Sequence, residues 1–207
     1  IRDLLASYTP VPGKRGRIAI PLVLSNYELL PFWHTFFTKL GFEVHSSGFS
    51  TSKTYVMGQH TIASDTICYP AKLVHGHIEK LLIDGFTNIF YPCMSYNMNE
   101  NLGDNHYNCP IVAYYPETIK NNVDQINQIN FISDFVGIHN KDAFEEKIYT
   151  VLKKHFKSVT KKEISHASTY AYFEHNNHLA KIQKRGDEII QRARIEEKQI
   201  VVLAGRP

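Results

Sequence analysis

The apolar positions of the chain alternate between short continuous runs and stripes at helical spacing. Arg17–Leu24 is a compact apolar run behind a basic residue and reads as a first buried strand. Leu29, Trp33, Phe36, Phe37 and Leu40 then recur at helical spacing. Pro31 suits the first turn of that helix and Gly41 its end cap. Phe42–Ser46 is a second strand. Thr51–Thr61 fits neither period. Val74, Ile78, Leu81 and Leu82 define a helix that begins near Pro70 and ends at Gly85. Asn88–Tyr91 is a short buried strand. The loop of about fifteen residues behind it is long enough to carry function. Ile111–Tyr115 reads as another strand, and Phe131–Ile132 as the start of a further one. Phe144, Ile148, Val151, Leu152 and Phe156 predict a helix over Asp142–Phe156, with Asn140 as its N-cap.

Past this point the pattern changes. Thr160-Lys161-Lys162-Glu163 is a capping box. It opens a helical stretch to about Lys198, with Gly186 as the place where two helices would divide. Gln199–Ala204 returns to strand character. Strands alternating with helices predict an α/β protein: an open, mostly parallel, doubly wound sheet of the flavodoxin or Rossmann kind, followed by a helical connector. The expected organisation is a lead-in over 1–16, an α/β domain over 17–157, a connector over 158–198 and the first strand of a second α/β lobe over 199–207.

Composition narrows the class. Of the 207 residues, 43% are hydrophobic and 21% charged, as in ordinary globular proteins. A net charge of +3 demands neither nucleic acid nor an anionic membrane. The pairs Lys153-Lys154 and Lys161-Lys162 flank helical patterns and read as solvated faces. The longest apolar runs, Ile18–Leu24 and Ile200–Ala204, are far too short to cross a membrane. No signal-peptide pattern opens the chain. Three cysteines, an odd number, argue for free thiols in a reducing compartment and so for a cytoplasmic location. Ile1 stands where an initiator Met would, and the end follows directly on a strand, so a piece of a larger protein is expected.

The thiols carry the candidate chemistry. Cys68 lies just before the helix that starts near Pro70, where free N–H groups and the positive dipole end favour a thiolate. Cys93 follows the strand Asn88–Tyr91, at the strand edge where open α/β sheets collect ligands. Cys109 precedes an expected strand, which puts it at the opposite edge unless the loop from Met94 to Asn108 folds back. The spacings of 25 and 16 residues form no compact metal motif. Ordinary buried cysteines fit them as well. His75, His77 and His106 lie near the thiols and would suit zinc. His75 and His77, however, are two apart on a helix and read as surface or cap residues. No glycine-rich phosphate loop and no G-x-S-x-G elbow occurs. Asp65, Glu79, Asp84 and Asp104 read as turn or cap carboxylates. The aromatic set Tyr27, Phe32, Trp33, Phe36 and Phe37 reads as core. The residues alone leave three readings open: a redox metal site, an interaction module with structural thiols, and a zinc-stabilised fold.

Longer strings narrow these. The segment from Ser64 to His77, Ser-Asp-Thr-Ile-Cys-Tyr-Pro-Ala-Lys-Leu-Val-His-Gly-His, resembles a signature of the acyl-CoA dehydratase activase-related proteins, or CoA-substrate-specific enzyme activases. So do Ile89-Phe90-Tyr91-Pro92-Cys93-Met94 and the segment from Asp104 to Val112. Pro31-Phe32-Trp33 and Leu203-Ala204-Gly205-Arg206-Pro207 add to the likeness. It covers about Arg17 to Pro207. Such proteins join ATPase domains of the actin/Hsp70 type to a region similar to the D-component of 2-hydroxyglutaryl-CoA dehydratase. The resemblance implies an iron–sulfur-binding domain of an ATP-dependent activator that passes low-potential electrons. It implies a [4Fe–4S] cluster held by Cys68, Cys93 and Cys109, with ATP confined to other domains. The implied partners are the ATPase domains of the same polypeptide and a CoA-thioester dehydratase or other electron acceptor. A homodimer with the cluster at its interface is compatible with this.

Overall fold

A computed structural model describes residues 1–99, 101 and 103–202. A short turn of helix, α1 (Arg2–Leu5), precedes β1 (Arg17–Ile20). The chain continues through α2 (Ser25–Glu28), α3 (Leu30–Lys39), β2 (Glu43–Ser46) and α4 (Ser52–Gly58). A 3-10 turn over Gln59–Thr61 leads to α5 (Tyr69–Ile83) and β3 (Asn88–Phe90). Then come α6 (Pro110–Asn122), β4 (Asn130–Ile132), α7 (Lys141–His155) and α8 (Lys161–Ile195).

The four strands form one all-parallel sheet in the order β2-β1-β3-β4. This is the expected open α/β architecture. Alternation along the strands supplies two faces. Ile18, Ile20, Val44 and Phe90 point to one face, under α3, α7 and α8, where Trp33, Phe36, Phe37, Phe144 and Ile148 fill the core. Ala19, Ile89 and Tyr91 point to the other, under α5 and α6. The aromatic set of α3 is core, as its stripe predicts: Trp33 meets Phe90 edge-on at 4.7 Å and is fully buried. The chain leaves β1 toward one sheet edge and builds β3 and β4 on the other side. The gap between the carboxyl ends of β1 and β3 is therefore the topological switch point, the usual ligand position in such sheets.

Caps follow the sequence signals. The Asn140 side chain accepts from the Ala143 N–H at 3.0 Å. Thr160 and Glu163 form the reciprocal capping box of α8. The unassigned stretch after β2 is helical, opened by a second capping box between Thr51 and Thr54. Four expectations are corrected. The first strand stops at Ile20, because Pro21 cannot donate to the ladder and Leu24 turns the chain at φ 51. Ile111–Tyr115 is helix, not strand: Cys109 is its N-cap and Pro110 fixes its first turn. Its branched and aromatic composition imitates a strand over five residues, a window too short to show the helical period. Gly186 does not divide α8, which runs unbroken for 35 residues. A glycine costs a helix about 1 kcal/mol relative to alanine, too little to stop one this long. Of the strand expected over Gln199–Ala204, residues 199–202 belong to no strand, and 203–207 lie outside the described residues.

Residues 1–16 are strapped to the body. Leu5 packs with Leu22 and Leu30. The Tyr8 hydroxyl donates to Glu174 at 2.7 Å, and His34 donates to the Thr9 carbonyl at 2.9 Å. Arg15 joins the Leu40 carbonyl and Glu163, each at 2.7 Å.

Candidate functional site

A cavity of about 400 Å³ opens at the switch point. Leu24, at the end of the loop after β1, and Ser25, at the start of α2, line it from one side, and Cys68, Cys109, Tyr107 and Ile111 from the other. Two helices therefore begin at this cavity, and each begins with a cysteine. Cys68 is the N-cap of α5 and Cys109 the N-cap of α6; each is followed within two residues by proline, and neither side chain makes a capping hydrogen bond. A helix N-terminus presents unpaired N–H groups and favours negative charge. Cys68 is exposed and Cys109 partly so.

The long loop after β3 brings Cys109 to this edge. It folds back on itself: the Asn97 N–H donates to the His106 carbonyl at 2.8 Å, and the Asn108 N–H to the Ser95 carbonyl at 3.0 Å. The Asn108 side chain fixes the return by donating to the Met94 carbonyl at 2.8 Å. The condition set on Cys109 by the sequence is thus met by the loop. The difficulty of a following strand disappears with the strand itself.

Cys93 has a different setting. It is completely buried and is not part of the cavity lining. Its backbone continues the β3–β4 pairing, accepting from the Val136 N–H at 3.0 Å and donating to the Asp134 carbonyl at 3.2 Å. Burial first, and then the charge of Glu117, push its thiol up to about 12, opposed by the Glu117 backbone N–H that reaches the sulfur. Glu117 is eight residues into the helix that Cys109 starts, about 12 Å along its axis. Among the described residues no three histidine, cysteine or acidic side chains are gathered so as to hold one metal ion. Measured against a cubane, two of the three thiols front a common space and the third does not.

His75 and His77 are not on the helix surface: both are fully buried. α4 covers one flank of α5, α6 another, and the loop after β2 a third. His77 bridges Ser47 at 2.7 Å and Ser50 at 2.8 Å, and Ser47 also accepts the Leu22 N–H at 2.8 Å. One imidazole thereby ties the loops after β1 and β2 to α5. His75 bridges Thr61 and Tyr115, each at 2.8 Å. Burial lowers both imidazoles to about 4, helped by the charge of His60 for His75 and of Lys80 for His77. They are neutral hydrogen-bonding struts. Their apolar setting was visible in outline, since His75 falls on the stripe of Ala71, Val74 and Ile78. The repeated cysteine-then-proline start, Cys68-Tyr69-Pro70 and Cys109-Pro110, is the signal that would have revealed α6.

Among the described residues no helix is long and apolar enough to cross a membrane. No curated protein and no solved structure matches the chain. A family model described as "CoA enzyme activase uncharacterised domain" matches residues 17–207, from the first residue of β1 onward, and the chain belongs to that family.

Proposed function

We propose that this domain serves an activator of a CoA-thioester dehydratase by contributing Cys68 and Cys109 as ligands to an iron–sulfur centre at the switch-point cavity. The observation that carries this reading is the pair of cysteine N-caps on one cavity. Thiolate is the metal-binding form of cysteine, and a helix N-terminus is a place that favours it. When bound, such a centre supplies one-electron chemistry at a potential tuned by charge, hydrogen bonds and solvent exposure. The chain's own part is to hold two sulfurs at the rim of a parallel sheet, beside a folded-back loop that lines the cavity. Cys93 is assigned a different role: a protonated thiol that packs the sheet extension against α6.

A dehydratase component is the partner that the activase family points to. The electron acceptor would approach the open side of the cavity, where Tyr107 is exposed. Anaerobic reconstitution with iron and sulfide tests the reading. Wild-type protein should turn brown with a broad visible absorption, and Cys68→Ala should remain colourless. Colourless wild-type protein with stoichiometric zinc contradicts the redox reading and favours a zinc-stabilised fold. Wild-type protein that takes up no metal leaves an interaction domain with structural thiols.

A further inference from the structure

The two helices that start at the thiols are joined by one side-chain hydrogen bond among the described residues, between His75 of α5 and Tyr115 of α6 at 2.8 Å. Both residues are buried, and their rings meet edge-on at 5.6 Å with an interplanar angle of 83°. Thr61 donates its single hydroxyl proton to the Gly58 carbonyl at 3.0 Å. Thr61 can then only accept from His75, so the Nδ1 of His75 carries the proton. Its Nε2 is left as the acceptor, and the Tyr115 hydroxyl donates to it. Each group in the chain Tyr115–His75–Thr61–Gly58 has a defined role, which fixes the ring of His75 and the hydroxyl of Tyr115.

Register gives this chain its consequence. Cys68 precedes His75 by seven residues and Cys109 precedes Tyr115 by six. At the helical rise these are lever arms of about 10 Å and about 9 Å. The bond therefore lies some two turns below both thiols, at nearly equal depth. A small change in splay between α5 and α6 at that level becomes a change in sulfur separation at the rim. The other flank of α5 is held equally firmly. A Cβ on Gly76 would lie 1.6 Å from the Thr54 carbonyl oxygen, and one on Gly58 would lie 2.1 Å from the Gly76 nitrogen. α4 and α5 thus touch backbone to backbone beside His75. The Tyr115 hydroxyl is pushed up to about 12, by burial first and by the Cys68 thiol second.

We infer that His75 and Tyr115 are positioning residues that set the separation of Cys68 and Cys109. This rests on the two-thiol reading of the site, and the test keeps the two apart. Cd²⁺ alone is the metal probe, followed by the ultraviolet charge-transfer absorption of its thiolate bonds. Spin labels on Cys68 and Cys109 report their separation without any metal; buried Cys93 stays unlabelled. Tyr115→Phe keeps the ring and removes the donor. It should weaken Cd²⁺ binding by about tenfold or more, the scale seen when outer partners of metal ligands are removed. It should also broaden the label distance distribution, with the unfolding midpoint little changed. His75→Gln keeps an acceptor near the position of Nε2 and should restore most of both readouts, which general destabilisation would not do. Wild-type affinity and an unchanged label distribution in Tyr115→Phe overturn the inference. Wild-type protein that binds no Cd²⁺ while its label distribution still broadens in Tyr115→Phe overturns the metal reading and leaves the clamp standing.

Discussion

Buried neutral histidines make this protein's stability depend on pH in a window set by their shifts. His75 and His77 are lowered from 6.5 to about 4, and burial also lowers His34, His155 and His178. Between those limits the unfolded chain takes up protons that the folded chain refuses. The stabilising contribution is complete above pH 6.5 and is lost as pH falls toward 4. Urea unfolding should show a loss on the order of a few kcal/mol between pH 7 and pH 5. His75→Gln should remove its own share of that slope. The lowered carboxyls of Glu163 and Glu174 enter only at more acid pH, so they do not mask the effect. At this scale the sequence was uneven as a guide. Pro70 revealed Cys68 as a helix cap, because the proline fixes the first turn. Nothing local announced that Cys93 would be sealed, since its burial comes from α6 and from the loop after β4, both distant in sequence. His75 and His77 were misjudged for the same reason: the elements that cover them come from elsewhere in the chain.

Helices show where local signals suffice. The Thr160–Glu163 box and the Asn140 cap lie within four residues, and both form as the residues dictate. Thr160→Ala should cost about 1 kcal/mol, measured by chemical unfolding. α6 failed as a sequence reading because Ile111, Val112, Tyr114 and Tyr115 are strand-type residues. Cys109 and Pro110 outweigh them by fixing the helix start. Pro116 inside α6 removes one helical N–H, and the helix continues across it. The α4–α5 crossing is a packing fact that no pattern encodes: it requires a glycine at Gly76 and another at Gly58. Gly76→Ala forces backbone atoms apart and should cost about 3 kcal/mol, the upper range for overpacked cores. Gly186→Ala meets open space and should instead stabilise α8 by up to about 1 kcal/mol.

For the whole molecule, the fold class followed from alternating strands and helices, but strand order did not, because periodicity within strands says nothing about their neighbours. The order β2-β1-β3-β4 is what creates the switch point and so brings residues 24–25, 68 and 103–112 to one cavity. The strap over 1–16 lies outside the family match yet closes buried contacts through Leu5, Tyr8 and Arg15. Removing residues 1–16 should lower the thermal midpoint by several degrees, the shift that a loss of about 2 kcal/mol produces in a chain of this size. The proposed iron–sulfur centre draws on Cys68 and Cys109 and not on Cys93. Iron and sulfide content after anaerobic reconstitution of Cys68→Ala, Cys109→Ala and Cys93→Ala, set against wild type, tests it most directly. The first two should lose the iron, and Cys93→Ala should keep it. Loss of iron from Cys93→Ala to the same degree as from the other two, in protein that remains folded, would contradict it.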